Sequence, residues 1–256
     1  MDKSKRSIIS DSWTMFTRCL RISLRNPEAI MVATIVPFIL MLLFGTIFGS
    51  ISDIENFNYI DFIVPGIILQ SIGQASQYSA MNVASDMKTG IIDRFRTMSI
   101  SKSAVLIGHI LAGVVRNTIS AVVIFLTALL LGFRPQGSFV DWCIVAGLII
   151  VVNFTVSLLG VLCGLLSRTV EGASSLMMPL IVLPFVSSGF APVESLNGGI
   201  RWFAKAQPMT PIINSIRSLT LDLPLNNDLV IALTWCIGII IVAYFCSLQV
   251  YKRKTS

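Results

Sequence analysis

The sequence predicts an all-α integral membrane protein: six transmembrane helices, an N-terminal amphipathic interfacial helix, a cytoplasmic amphipathic loop, and an outer re-entrant-type hairpin after the fifth span. Three observations carry this. Hydrophobic residues make up 54% of the 256 residues and charged residues only 12%, against a usual ~25% charged. Long runs without Asp, Glu, Lys or Arg recur at or above the ~17–25 residues that a spanning helix needs. The basic residues sit mostly between those runs. With a mean hydropathy of +0.82, a soluble fold could not solvate such a surface. A water-soluble enzyme or binding module is excluded.

Taken in order, residues 7–25 form an amphipathic helix. Ile9, Trp13, Phe16, Leu20 and Leu24 recur at helical spacing, while Arg18, Arg21 and Arg25 cluster away from them. Such a helix lies on the inner leaflet with its Arg side chains near lipid phosphates, or packs on a partner. Pro27 ends it. The spans are expected near 29–50, 61–85, 109–132, 142–167, 172–192 and 229–250, and residues 1–256 form a single transmembrane domain. Residues 86–102 make a cytoplasmic loop in which Ile91, Phe95 and Met98 share a helical face beside Asp93, Arg94 and Arg96. This loop rests on lipid or docks into a soluble partner. Residues 193–227 hold Pro208, Pro211 and Pro224 among apolar groups such as Trp202 and Phe203, too apolar for a free loop.

Six spans put both termini on one side. With the termini inside, the cytoplasmic segments carry 14 Lys and Arg and the outer segments 4 (Arg134, Arg201, Lys205 and Arg217), Arg116 lying within a span. That asymmetry places both termini in the cytoplasm of a multi-pass protein of the cell membrane. The formal net charge of +6 therefore reports orientation, and no nucleic-acid partner is expected.

The second span is unusually polar. Gln70, Ser71, Gln74, Gln77, Tyr78 and Ser85 fall on one stripe. Amides are costly in hydrocarbon unless partnered. The stripe is either hydrogen-bonding glue between helices or the lining of a translocation path. Gly45–Gly49 and Gly160–Gly164 match GxxxG, which permits close helix approach. Arg116, expected about five residues from the inner end of a span beginning near Leu111, snorkels inward or pairs with a neighbour.

No catalytic constellation appears. HExxH, GxSxG and paired intramembrane carboxylates are missing, and the absence of any Gly-Lys dipeptide excludes a Walker A loop. The five cysteines form no CxxC pair, and the lone His109 makes no metal cluster. The chain is expected to bind no cofactor or metal of its own.

Three stretches together resemble one family. Tyr59-Ile-Asp-Phe-Ile-Val-Pro-Gly66 is similar to the start of the second span in type-2 ABC exporter permeases. Gly90-Ile-Ile-Asp-Arg-Phe-Arg-Thr97 resembles their cytoplasmic coupling segment. Ser187-Ser-Gly-Phe-Ala-Pro-Val-Glu194, with Gln207-Pro-Met-Thr-Pro211 and Arg217, resembles the outer hairpin of the daunorubicin-resistance-type drug-export subgroup. Ser99 and Gln207 stand where many members have Pro and Asn.

The resemblance implies a transport subunit with no ATPase site of its own. It implies a second copy of this permease and two copies of a separate ABC ATPase subunit that holds ATP and Mg. Gly90, Ile91, Ile92, Asp93, Arg94, Phe95, Arg96 and Met98 would couple to that ATPase. Gln70, Ser71, Gln74, Gln77 and Tyr78 become candidates for the path of a hydrophobic drug, antibiotic or peptide moving outward. An exporter of a lipid-linked glycan or polyol phosphate is the rival. A self-sufficient secondary transporter or channel is more distant, since no intramembrane carboxylates or broken-helix ion sites are evident.

Overall fold

A computed structural model describes residues 8–25, 27–48, 58–91 and 102–254. Among the described residues there are nine α-helices and no strand. They are α1 (Ile8–Leu24), α2 (Pro27–Phe48), α3 (Tyr59–Lys88), α4 (Lys102–Leu130), α5 (Phe139–Leu166), α6 (Val170–Val182), α7 (Gly198–Ala206), α8 (Met209–Thr220) and α9 (Asp228–Lys254). Two short 3-10 turns, Leu183–Val186 and Val193–Ser195, lie between α6 and α7.

Local chemistry sets the ends. Ser138 caps α5: its Oγ accepts from the Asp141 backbone N–H at 3.3 Å, and the Asp141 carboxylate accepts from the Ser138 N–H at 2.8 Å. Thr169 caps α6 by accepting from the Gly172 N–H at 3.0 Å. Past α3, Gly90 takes a left-handed φ of 68°, a conformation that only glycine adopts freely, and this stops the helix.

Helices α4, α5 and α9 are long and apolar enough to cross a membrane. Thr34–Ile47 within α2 and the continuous Val170–Val186 are apolar but shorter. The fifth expected span, 172–192, is thus corrected. Its α-helix has 13 residues and tightens at Pro184 into a 3-10 turn. Together these rise ~28 Å, close to one hydrocarbon core. The chain then turns at Ser187–Phe190, all four residues buried, and the hairpin region holds α7 and α8. The third expected span also shifts, since α4 begins at Lys102.

The 30-residue α3 is the axis of the fold. It buries 21 of its residues against α2, α4, α5, α6 and α8. The GxxxG glycines of α5 serve this packing. A Cβ on Gly160 would lie 2.8 Å from the Ser76 carbonyl oxygen, and one on Gly164 2.5 Å from that of Ala80. That motif therefore joins two helices of one chain. Of the other, Gly45 meets Ile60, and Gly49 lies outside the described residues.

Helix α1 does not lie freely on the membrane surface. Ser12, Met15, Cys19 and Ser23 are buried, and α1 packs along α4. Of the expected apolar face, Ile9 and Trp13 are 80% and 66% exposed, Phe16 and Leu20 are half-buried, and the Leu24 side chain lies outside the described ones. Small residues let the two helices approach on one side and leave Ile9 and Trp13 outward. All five cysteines are free.

Candidate functional site

The residues singled out in the sequence fall into a junction at the start of α3, on the side expected to be outer, a polar face of α3, and a junction with the N-terminal helix, on the side expected to be inner.

At the outer junction the first and third of the resembling stretches meet. The Tyr59 hydroxyl donates to the Phe190 carbonyl at 2.9 Å. Arg217, on α8, stacks over the Phe62 ring at 3.7 Å and donates to the carbonyls of Phe62 at 2.9 Å and Ser188 at 2.6 Å. A Cβ on Gly66 would lie 2.8 Å from the Gly189 Cα, so glycine is required for this approach. Gln207 donates to the Val186 carbonyl at 2.6 Å and the Leu183 carbonyl at 3.3 Å, closing the turn from within. Asp61 accepts from the Arg134 backbone N–H at 3.1 Å, which fixes the α4–α5 loop to the same corner. These partners lie as many as 155 residues apart in the chain. Nothing in their spacing along the chain signals the pairing.

The polar stripe of α3 divides. Gln70 is 2% exposed, and its Oε1 has no hydrogen-bond partner among the described residues. Ser71 is buried and donates to the Ile68 carbonyl at 2.7 Å. Gln77 donates to the hydroxyl of Ser174 on α6 at 2.7 Å and to its carbonyl at 3.1 Å. Gln74 and Tyr78 are half-buried, as are Met81, Asn82 and Ser85 on the same side. This side is the least covered stretch of a helix otherwise enclosed by its neighbours.

The inner junction is where the structure adds most. Arg18 of α1 makes a two-pronged ion pair with Asp86 near the end of α3, at 2.8 and 3.1 Å. This raises the Arg18 guanidinium above its ordinary pKa, chiefly through the hydrogen bond to Asp86 and against the cost of burial. The expected contact of Arg18 with lipid phosphates is corrected accordingly; Arg21 and Arg25 remain exposed. His109 of α4 reaches the same carboxylate at 3.3 Å and faces the Cys19 sulfur at 3.6 Å.

Of the two expectations for Arg116, pairing with neighbours is the one that holds. Arg116 lies fourteen residues into α4, ~21 Å along the axis, and is 3% exposed. It donates to the Ala75 carbonyl at 3.0 Å, to the Ser23 hydroxyl at 3.0 Å and to the Ser79 hydroxyl. One turn of small polar residues continues the seam. Asn117 donates to Ser76 at 2.7 Å and Ser157 at 3.0 Å, and Asn153 donates to Thr118 at 3.1 Å. The seven-residue step from His109 to Arg116, two turns on one helix face, was the available signal.

Of the coupling residues, Gly90 and Ile91 lie just past the end of α3. Ile92, Asp93, Arg94, Phe95, Arg96 and Met98 lie outside the described residues, as does Ser99.

Residues 11–221 match the family model described as ABC-2 type transporter. The chain is 26% identical over 256 residues to the daunorubicin resistance ABC transporter permease protein DrrB1 of Streptomyces coeruleorubidus, covering 99% of this chain and 90% of that protein. It is 20% identical over 252 residues to the probable doxorubicin resistance ABC transporter permease protein DrrC of Mycobacterium tuberculosis, covering 98% and 91%. It is 25% identical over 228 residues to the inner membrane transport permease YadH of Escherichia coli K12, covering 84% and 85%.

Proposed function

From the premise that this chain belongs to the ABC-2 type transporter family, we propose that it is the membrane permease subunit of an ATP-driven exporter that carries a hydrophobic drug, antibiotic or peptide out of the cell. The relatives named for daunorubicin and doxorubicin resistance support that substrate class. Energy comes from a separate ABC ATPase subunit in two copies, which holds ATP and Mg, because the chain has no Walker A loop.

The observation that carries this reading is the half-exposed polar side of α3. Gln74, Tyr78, Asn82 and Ser85 are too polar to face lipid and are not enclosed within one chain. A second copy of the permease applied to this side encloses them and makes a wet path between the copies. In this reading α2, α3 and the Val170–Val186 segment join α4, α5 and α9 to make six spans. Both termini then lie in the cytoplasm of the cell membrane, as the Lys and Arg asymmetry supports. The ATPase docks at residues 90–98, with Phe95 as an apolar anchor flanked by Arg94 and Arg96. The family resemblance supports this docking.

Co-purification tests it. The permease is expected to bring down an ABC ATPase, and the reconstituted pair to show ATP hydrolysis stimulated by hydrophobic amphiphiles such as daunorubicin. Purification without any ATPase, or hydrolysis indifferent to every such compound, defeats the reading.

A further inference from the structure

Beside the first turns of α3, before the stretch that carries the polar face, lies a cavity of about 240 Å³ between α3, α4, α5 and α8. Ile68 lines it, and Gln74, the nearest residue of the proposed path, stands six residues on, ~9 Å along the helix and ~120° around it. The cavity is therefore separate from the proposed path. Its walls are apolar, and Phe125, Phe133 and Trp142 form an aromatic end, with Phe125 edge-on to Trp142 at 5.2 Å.

The volume far exceeds the ~10–15 Å³ that admits one water, but a buried water needs two to four polar partners. The two hydroxyls in the lining are already used. Thr118 donates to the Val114 carbonyl at 2.8 Å, and Thr220 to that of Ile216 at 2.8 Å. The site therefore selects hydrocarbon. Val122, Ala146 and Ile150 line it and are also exposed, so it opens sideways between α4 and α5. From Trp142 to Ile150 the α5 wall runs ~12 Å, close to half of a ~30 Å hydrocarbon core. One end is marked by Trp142, a residue type favoured at the membrane interface. The exposed cation Arg134 follows Phe133 at that end and forms no ion pair among the described residues.

We propose that this cavity is a binding site for one acyl chain of an outer-leaflet phospholipid, whose headgroup phosphate sits near Arg134. The leaflet rests on the outward placement of the α4–α5 loop in the function proposed above. The site itself rests only on the cavity.

The test uses the full chain with Trp13, Trp202 and Trp235 replaced by Phe, so that Trp142 reports alone. It is placed in nanodiscs whose phosphatidylcholine is exchanged stepwise for phosphatidylcholine brominated on its acyl chains. Quenching of Trp142 is expected to contain a component saturating at a mole fraction at least tenfold below that of ordinary annular exchange. Ala146→Phe, which fills the opening from an exposed position, is expected to remove that component and leave the annular one. A single annular curve, or a saturable component that Ala146→Phe leaves intact, overturns the site. Dissociation of a dimer by Ala146→Phe, seen by light scattering, assigns the groove to a second copy and also overturns it. In a cysteine-free background, Gln136→Cys is expected to react with an impermeant thiol reagent from outside. Labelling only from the cytoplasmic side overturns the topology and the outer-leaflet assignment together. Loss of the saturable component with outside labelling overturns the lipid site alone.

Discussion

Gly66→Ala isolates the outer junction. The added methyl would stand 2.8 Å from the Gly189 Cα and 2.9 Å from its carbonyl oxygen, where ordinary contact begins at 3.4 Å. The obstacle is backbone, so no side chain can rotate away, and the turn at Ser187–Phe190 must retreat by about 0.6 Å, the gap between those two distances. Such a shift pulls on the Tyr59–Phe190 and Arg217–Ser188 bonds at once. Overpacking of this kind costs about 1–3 kcal/mol. Replacing a helical glycine by alanine also returns about 0.5–1 kcal/mol, so the control must carry the same gain. Gly147, inside α5, has nothing within 4 Å of its would-be Cβ. Gly147→Ala keeps the helix gain without the clash, and the difference between the two variants isolates the clash. At ~2–4 °C per kcal/mol for a chain of this size, Gly66→Ala should melt about 2–12 °C below Gly147→Ala in detergent. Equal melting temperatures would refute the claim that the two stretches interlock through this glycine.

The two exposed-side glutamines should behave differently. Gln77→Leu breaks two bonds to Ser174 and is expected to lower the melting temperature and reduce export of every substrate alike. Gln74→Leu is expected to leave melting within a degree or two and to change the ratio of export of two chemically different substrates. Replacing both Arg94 and Phe95 by Ala is expected to abolish ATPase co-purification while the protein still inserts, because truncated anchors cost on the order of 2 kcal/mol or more; retained binding and export would return residues 90–98 to a loop resting on lipid. Arg116→Lys keeps the charge but cannot reach Ala75, Ser23 and Ser79 together. At about 1.5–3 kcal/mol per bond to a charged group, the yield of folded protein should fall sharply, and a wild-type melting curve would show that the three contacts are dispensable.

The helical, membrane-embedded class was legible because it rests on bulk quantities: apolar content, run length and the placement of charge. The polar residues of the second span were legible because one helix has one period, but that period did not separate the enclosed Gln70 and Ser71 from the half-buried Gln74 and Tyr78. What could not be read was which polar group meets which. Arg116 illustrates the reason. Its depth depends on where α4 starts, and the uncharged run begins only after Arg116 itself, whereas the helix starts at Lys102. The inner end of α4 is enclosed by α1, so it need not be apolar. The N-terminal helix misled in the same way. Its large side chains follow the helical period, yet the face that packs is the small, partly polar one through Ser12, Met15, Cys19 and Ser23. Hydrophobicity marks what avoids water, and in a bilayer that does not distinguish packing from lipid.

The polar contacts of α3 fall into two groups along its length. The outer group runs from Tyr59 to Phe62 and holds the hairpin turn and Arg217. The inner group runs from Ala75 to Asp86 and holds α4, α6 and the N-terminal helix. Gln74 lies between them on the less covered side, while Gly90, at the far end, opens into the proposed docking segment. Two sets of fixed contacts on one continuous helix oblige its ends to move together. A displacement of residues 90–98 by a closing ATPase would therefore tilt α3 as a lever of ~45 Å, carrying the outer hairpin and the polar side of the helix with it. In the proposed dimer, new contacts are needed only where the two copies would meet, at the uncovered amides and hydroxyls of α3.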